Sequence, residues 1–146
     1  MDDELKTTYQ GKEYKAITLM CRIRKGIENT SNTFIQLKQI AMVFQFKGEL
    51  QTFINKAQSG QNEDVDYIMS HLTIESSLAT TRYVDFALSL VEPYSNGFER
   101  IKYYLFNGSL IQRNYASLYL NRLGEWKPVK EAFERGLIDK IQAYSR

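Results

Sequence analysis

Two stretches of this chain share a pattern of glycines and apolar residues at a fixed offset of 76 residues. Residues 32–60 align with residues 108–136 without a gap. Five of the 29 positions are identical, namely Ile35/Ile111, Gln36/Gln112, Gly48/Gly124, Glu49/Glu125 and Gly60/Gly136. Similarity at a fixed offset is typical of repeated supersecondary units. A true duplication and two independent amphipathic helix pairs predict the same local structure: a helix, a glycine-centred turn and a second helix ended by glycine.

Apolar residues recur with helical spacing along most of the chain, as in the run Phe34, Leu37, Ile40 and Phe44. No stretch shows the sustained alternation and flanking turn residues of a β-hairpin. The chain has only two prolines, so long regular elements are expected. The sequence therefore predicts an all-α fold: a single domain over residues 1–146, built from about seven to nine helices as packed antiparallel hairpins. The pairs 32–60 and 108–136 are its equivalent units.

Candidate caps set the predicted boundaries of these helices. The first helix is expected over residues 12–25. Thr73 is the predicted cap of a helix of about 18 residues, which must end near Val91 because Pro93 disfavours helical geometry in the residue before it. Ser109 is the predicted cap of the first helix in the second pair.

Two further positions carry sharp structural predictions. Gly48 should lie at a break between two helices, in a turn that corresponds to the turn at Gly124. Trp126, the only tryptophan, begins the second helix of its pair and belongs to an apolar stripe. We expect its side chain to be largely buried, so that Trp126→Ala would cost about 3–5 kcal/mol.

Residues 124–136, with the sequence GEWKPVKEAFERG, resemble the second half of an ankyrin repeat. That family places Val-Lys between two glycines, as Val129 and Lys130 are placed here. The Thr-Pro-Leu-His signature of the family is missing, since residues 115–118 are Tyr-Ala-Ser-Leu. A repeat stack needs about three adjacent units to bury its core. We interpret the resemblance as a stable helical hairpin rather than membership of the family.

The side chains needed for most catalytic and metal sites are scarce. His71 is the only histidine and Cys21 the only cysteine, which excludes metal sites built from several of these ligands. The chain contains no phosphate-binding loop, dinucleotide fingerprint or nucleophile-elbow motif. The carboxylates of residues 63–66 lack the spacing of a calcium-binding loop. The sequence predicts no catalytic residue, metal or cofactor; an enzyme with an unrecognised carboxylate site is an open alternative.

Charge is unevenly distributed along the chain. Residues 1–60, 61–97 and 98–146 carry net charges of +3, −5 and +4. The last segment interleaves cations with aromatic residues, a combination that binds phosphates and stacks on the bases of single-stranded nucleic acids. The residues predicted to contact nucleic acid are Arg113, Tyr119, Arg122, Lys127 and Lys130.

The function predicted first is nevertheless a non-enzymatic protein-interaction or adaptor module, because paired helices present large faces and the chemistry of active sites is scarce. DNA or RNA is the alternative partner. The beginning of the sequence lacks a secretory signal, and no apolar run reaches the roughly 18 residues of a membrane span. We therefore expect a cytoplasmic protein with no membrane partner.

Overall fold

The computed structural model describes residues 46–146, together with Ile35, Lys38 and Gln39, which are helical. Residues 46–146 form seven helices and no strand. The helices are α1 (Gly48–Ser59), α2 (Asn62–Ser70), α3 (Leu78–Leu88), α4 (Asn96–Asn107), α5 (Leu110–Arg122), α6 (Trp126–Glu134) and α7 (Lys140–Tyr144). The all-α prediction is confirmed. The helix predicted over residues 12–25 lies outside the described residues, so the single domain over the whole chain stays a prediction.

One apolar core joins the described helices. The fully buried side chains include Phe53 of α1, Ile68 of α2, Val84 of α3, Leu105 of α4 and Leu120 of α5. Burial of each such side chain stabilises the fold by about 1.5–3 kcal/mol. α1 packs against α2 and α3, whereas α6 packs against α4, α5 and α7. Within the described part of the chain, no helix has both the length and the apolar character needed to cross a membrane.

Glycines with positive φ fall at corresponding positions of the two aligned stretches. Residues 46–47 are not helical and α1 begins at Gly48 itself, so the predicted break is confirmed. Gly124 lies two residues before α6 begins, so the match between the two turns stays a prediction. Gly48 and Gly124 have φ values of 64° and 77°, and Gly60 and Gly136 have 67° and 73°. This left-handed region favours glycine because a Cβ would approach the following carbonyl oxygen. The offset of 76 residues thus superimposes the same unusual backbone conformation, while common ancestry of the two pairs stays an interpretation.

Ser109 caps α5 as predicted, and Gln112 completes a capping box with it. The predicted cap at Thr73 is wrong: α3 begins at Leu78 and is capped by Ser77. The Thr73 amide donates to the Ser76 hydroxyl oxygen at 2.8 Å, and this hydroxyl donates to the carbonyl of His71. These local bonds close a turn and compete with the helix that the apolar spacing predicted.

Candidate functional site

The second helix pair carries a groove of about 440 Å³ between α6 and α7. Four of its described lining residues are apolar or aromatic, three are cationic and one is an amide: Trp126, Phe133, Ala143, Tyr144, Lys127, Lys130, Arg146 and Asn121. We call this concavity the α6–α7 groove.

The arrangement of α6 explains why its aromatic side chains face the groove. Val129 and Ala132 are buried against the core. Trp126, Lys130 and Phe133 follow one another at i, i+4 and i+7, which places them on a different face of the same helix. α6 therefore has one face for the core and a second face for the groove.

The prediction that Trp126 is buried is wrong, since 57% of its surface is exposed. Phe133 is 38% exposed, and Tyr144 of α7 is 74% exposed. Val129 and the neighbouring Pro128 provide the buried contacts near the start of α6 instead. The cost expected for Trp126→Ala falls accordingly, because an exposed indole leaves no cavity when it is removed.

The cations surround the aromatic side chains. The guanidinium of Arg146 lies over the Trp126 ring at 5.3 Å from its centroid, a cation–π distance. The Lys130 ammonium is 3.9 Å from the Glu134 carboxylate, and both side chains are well exposed, so this pair is weak. No carboxylate stands among the described residues that line the groove. The site therefore favours anionic groups at its edge and apolar groups inside.

Hydrogen bonds fix α7 as one wall of the groove. The Asn121 side-chain amide of α5 donates to the carbonyls of Ala143 and Ser145 at 3.0 and 2.8 Å. The Ser117 hydroxyl donates to the Gln142 carbonyl at 2.9 Å. α7 contributes no buried residue of its own, so these polar contacts hold it in place. The wall is set before any ligand binds, which lowers the entropic cost of binding.

The groove contains two of the five residues predicted to contact nucleic acid, Lys127 and Lys130. Tyr119 is only 4% exposed, and its hydroxyl donates to the Val91 carbonyl at 2.9 Å. Burial raises its pKa. Tyr119 is therefore a core residue, and the prediction that it contacts nucleic acid is wrong.

The two remaining predicted residues lie on α5, away from the groove lining. Arg122 forms an ion pair with Asp85 of α3, with both side chains largely buried. This contact links two helices, so we assign Arg122 a structural role. Arg113 is half-buried. Neither side chain extends the cationic edge that Lys127 and Lys130 form.

The other candidate groups are engaged in the fold. The His71 ring packs edge-on against Phe53 at 4.9 Å, and its Nδ1 is 2.8 Å from the Tyr67 carbonyl oxygen. α2 ends at Ser70, and His71 is the residue that caps its C-terminal end. Over the part of the chain that the structure describes, no three His, Cys, Asp or Glu residues come together to hold a metal ion.

Sequence reasoning missed Phe133, Tyr144 and Arg146 as groove residues. Phe133 follows Val129 by four residues, and the two lie only some 40° apart around a helix, so apolar spacing alone does not separate a groove residue from a core residue. The i, i+4, i+7 spacing of Trp126, Lys130 and Phe133 was the available signal. Tyr144 and Arg146 carried no comparable signal, because their position depends on how α7 folds back onto α5.

No family model, curated protein or solved structure matches this chain.

Proposed function

We propose that this chain is a non-enzymatic protein-interaction module that binds a segment of another protein in the α6–α7 groove. The observation that carries the proposal is the gathering of three partly exposed aromatic side chains, Trp126, Phe133 and Tyr144, in one concavity. Aromatic anchors seated in pockets supply much of the energy of protein interfaces. Contiguous apolar patches on a surface are typical of interaction sites.

Single-stranded nucleic acid is the second candidate partner, because the same groove joins aromatic rings to Lys127, Lys130 and Arg146. Two observations favour protein over nucleic acid. Tyr119 packs in the core and Arg122 is paired with Asp85, so the predicted basic and aromatic surface is reduced to the groove. Three cations are few for a strong binder, since affinity for phosphates grows with the number of neutralising contacts.

Site-specific photo-crosslinking tests the first candidate. A photoreactive residue replaces Lys127 in the groove, and a control chain carries it at Gln58, an exposed position of α1. We expect one protein to crosslink reproducibly from position 127 in host extract, to survive nuclease treatment, and to be lost after Phe133→Ala. Crosslinks that are equal at both positions would overturn the proposal.

Salt dependence separates the two candidates. Three phosphate contacts with a single strand predict a roughly twentyfold loss of affinity between about 50 and 200 mM salt. The assay uses single-stranded and duplex DNA and RNA, with Lys127, Lys130 and Arg146 changed together to alanine. Lys140→Ala is the matched control, since Lys140 is exposed on α7 but does not line the groove. Binding at low salt that only the triple change abolishes would support nucleic acid over protein.

A further inference from the structure

We infer that the α6–α7 groove takes an acidic amphipathic helix of a partner protein, with carboxylates flanking its apolar stripe. This inference rests on the proposed function and names the chemistry and shape of the partner. Three features of the chain carry it: the way α1 is covered, the spacing of the groove residues, and the charge of the groove.

The first helix pair shows what covers the equivalent surface. Under the offset of 76 residues, Leu50 of α1 corresponds to Trp126, and Ala57 corresponds to Phe133. Leu50 and Ala57 are each 1% exposed, and the helix that carries them, α1, packs against α2 and α3. On α6 the same positions open to the groove. Within this chain, helices are therefore the elements that pack against α1, the helix that corresponds to α6.

α2 provides an internal example of such a helix. Its Val65, Ile68 and Met69 are buried at i, i+3 and i+4. Its first turn is acidic, and Asp64 accepts a hydrogen bond from the Lys56 ammonium of α1 at 3.3 Å. The Lys56 ammonium also lies 4.4 Å from the centroid of the Tyr67 ring. α2 thus joins an apolar stripe to a carboxylate, Asp64, that meets a cation of α1, Lys56.

The groove residues have the spacing that a docked helix needs. Trp126 and Phe133 are seven positions apart on α6, with Lys130 between them, which is about 10 Å along the helix axis. This length corresponds to about two turns of a partner helix. A helix docked in a groove presents apolar anchors at i, i+3 or i+4, and i+7.

Charge selects an acidic partner. Lys127, Lys130 and Arg146 line the groove, with no carboxylate among its described lining residues. Carboxylates of the partner would pair with these cations. A basic helix would instead bring like charges together, which would weaken its binding and disfavour it as a partner.

The test selects ligands without assuming a sequence. A phage library of randomised peptides of about 18 residues, displayed in a helix-forming scaffold, is selected against the full chain. Binding of the enriched peptides is then titrated through the fluorescence of Trp126. We expect enriched peptides with net negative charge, apolar residues at helical spacing, and a blue shift of the Trp126 emission as the groove closes over the indole.

Matched variants assign the binding to the groove. Lys127→Glu with Lys130→Glu should weaken binding by about tenfold or more, because attraction becomes repulsion. Phe133→Ala should weaken it by a similar factor, since it removes an anchor. Lys140→Glu reverses one charge outside the groove lining, as each of the two groove substitutions does inside it, and should alter affinity by less than about twofold.

Several outcomes would overturn the inference. Enriched peptides that are basic, or extended and proline-rich, yet still depend on Phe133, would contradict an acidic helix and leave the protein-interaction module standing. Enriched acidic peptides that are insensitive to Phe133→Ala would place their site elsewhere. Self-association in light scattering that Phe133→Ala abolishes would assign the groove to a second copy of this chain. Failure to enrich any groove-dependent peptide, together with groove-dependent binding of single-stranded RNA or DNA, would overturn both proposals.

Discussion

The offset of 76 residues aligns α1 with α6, but the surroundings of the two helices differ. Leu50 is 1% exposed on α1, whereas its counterpart Trp126 is 57% exposed on α6. The glycines near the two ends of each helix share the same left-handed conformation. The local pattern thus specifies where each helix begins and ends, and which residues form its apolar face. It does not specify whether a neighbour covers that face.

The difference arises from the elements that follow in the chain. α1 is followed by α2 and α3, and both pack against it. α6 is followed by α7, which has five residues and no buried side chain. The smaller cover leaves a concavity where the first pair has a core. The comparison teaches that the same helical face is buried or exposed according to the elements that pack against it.

The largest expected contrast is between two substitutions at equivalent positions. Leu50→Ala should lower the free energy of unfolding by about 2–5 kcal/mol, because it leaves a cavity in the core. Trp126→Ala should lower it by less than about 1 kcal/mol, because the indole is mostly in water. Urea unfolding of both variants measures the contrast. Equal losses would show that the two faces are covered alike and would break the comparison.

The second prediction is that two glycine substitutions lower the free energy of unfolding by equal amounts. Gly48 and Gly136 both have positive φ, and a Cβ at either position would meet no atom within 4 Å. Alanine at each should therefore cost only the backbone penalty of the left-handed region, about 1–2 kcal/mol. Thermal or urea unfolding compares them with Gln58→Ala, a change at an exposed helical position. Unequal costs at the two glycines would show that contacts of the added Cβ, and not the backbone conformation alone, set the cost.

Acid should weaken the contact between α2 and α4 that Asp66 and Arg100 form. The hydrogen bond from Arg100 to Asp66, which outweighs desolvation, lowers the pKa of this carboxyl below 3.8. A lowered folded-state pKa adds stability above the unfolded pKa of about 3.9, and this stability is lost as pH falls through the folded value. Asp66 is partly exposed, so the effect is small.

The measurement compares the urea midpoint at about pH 5 and about pH 3 for the parent chain and Asp66→Asn. The variant should lose less stability over this interval, because the group that titrates is gone. Glu63→Gln, an exposed change on the same helix, controls for the loss of one carboxylate. An identical fall in the parent and in Asp66→Asn would rule out this contribution.

The sequence predicted what depends on local patterns and missed what depends on neighbours. Gly48, Gly124 and the Ser109 cap were predicted correctly, because turns and caps are set by residues close in sequence. Trp126 was predicted to be buried but is 57% exposed, and Tyr119 was predicted to contact nucleic acid but is 4% exposed. Both are aromatic residues with a polar group, and such residues suit a core and a surface equally well. Only the packing of α6 and α5 against other helices distinguishes these cases.

The same dependence on neighbouring helices explains why only some of the groove residues were predicted. Lys127 and Lys130 were predicted because charge is visible in a sequence. Arg122 was misplaced because its partner Asp85 lies on another helix, 37 residues earlier. Phe133 and Tyr144 meet only after α7 folds back, a long-range event with no local signature.

The most direct test of the open α6–α7 groove is the intrinsic fluorescence of Trp126, the only tryptophan in the chain. The native protein should emit as a water-exposed indole does, and iodide should quench this emission nearly as well as that of the urea-unfolded chain. Such a result would confirm that the face equivalent to the buried face of α1 is open to a partner. A blue-shifted native emission protected from iodide would show that the chain covers Trp126 itself, and would contradict the account.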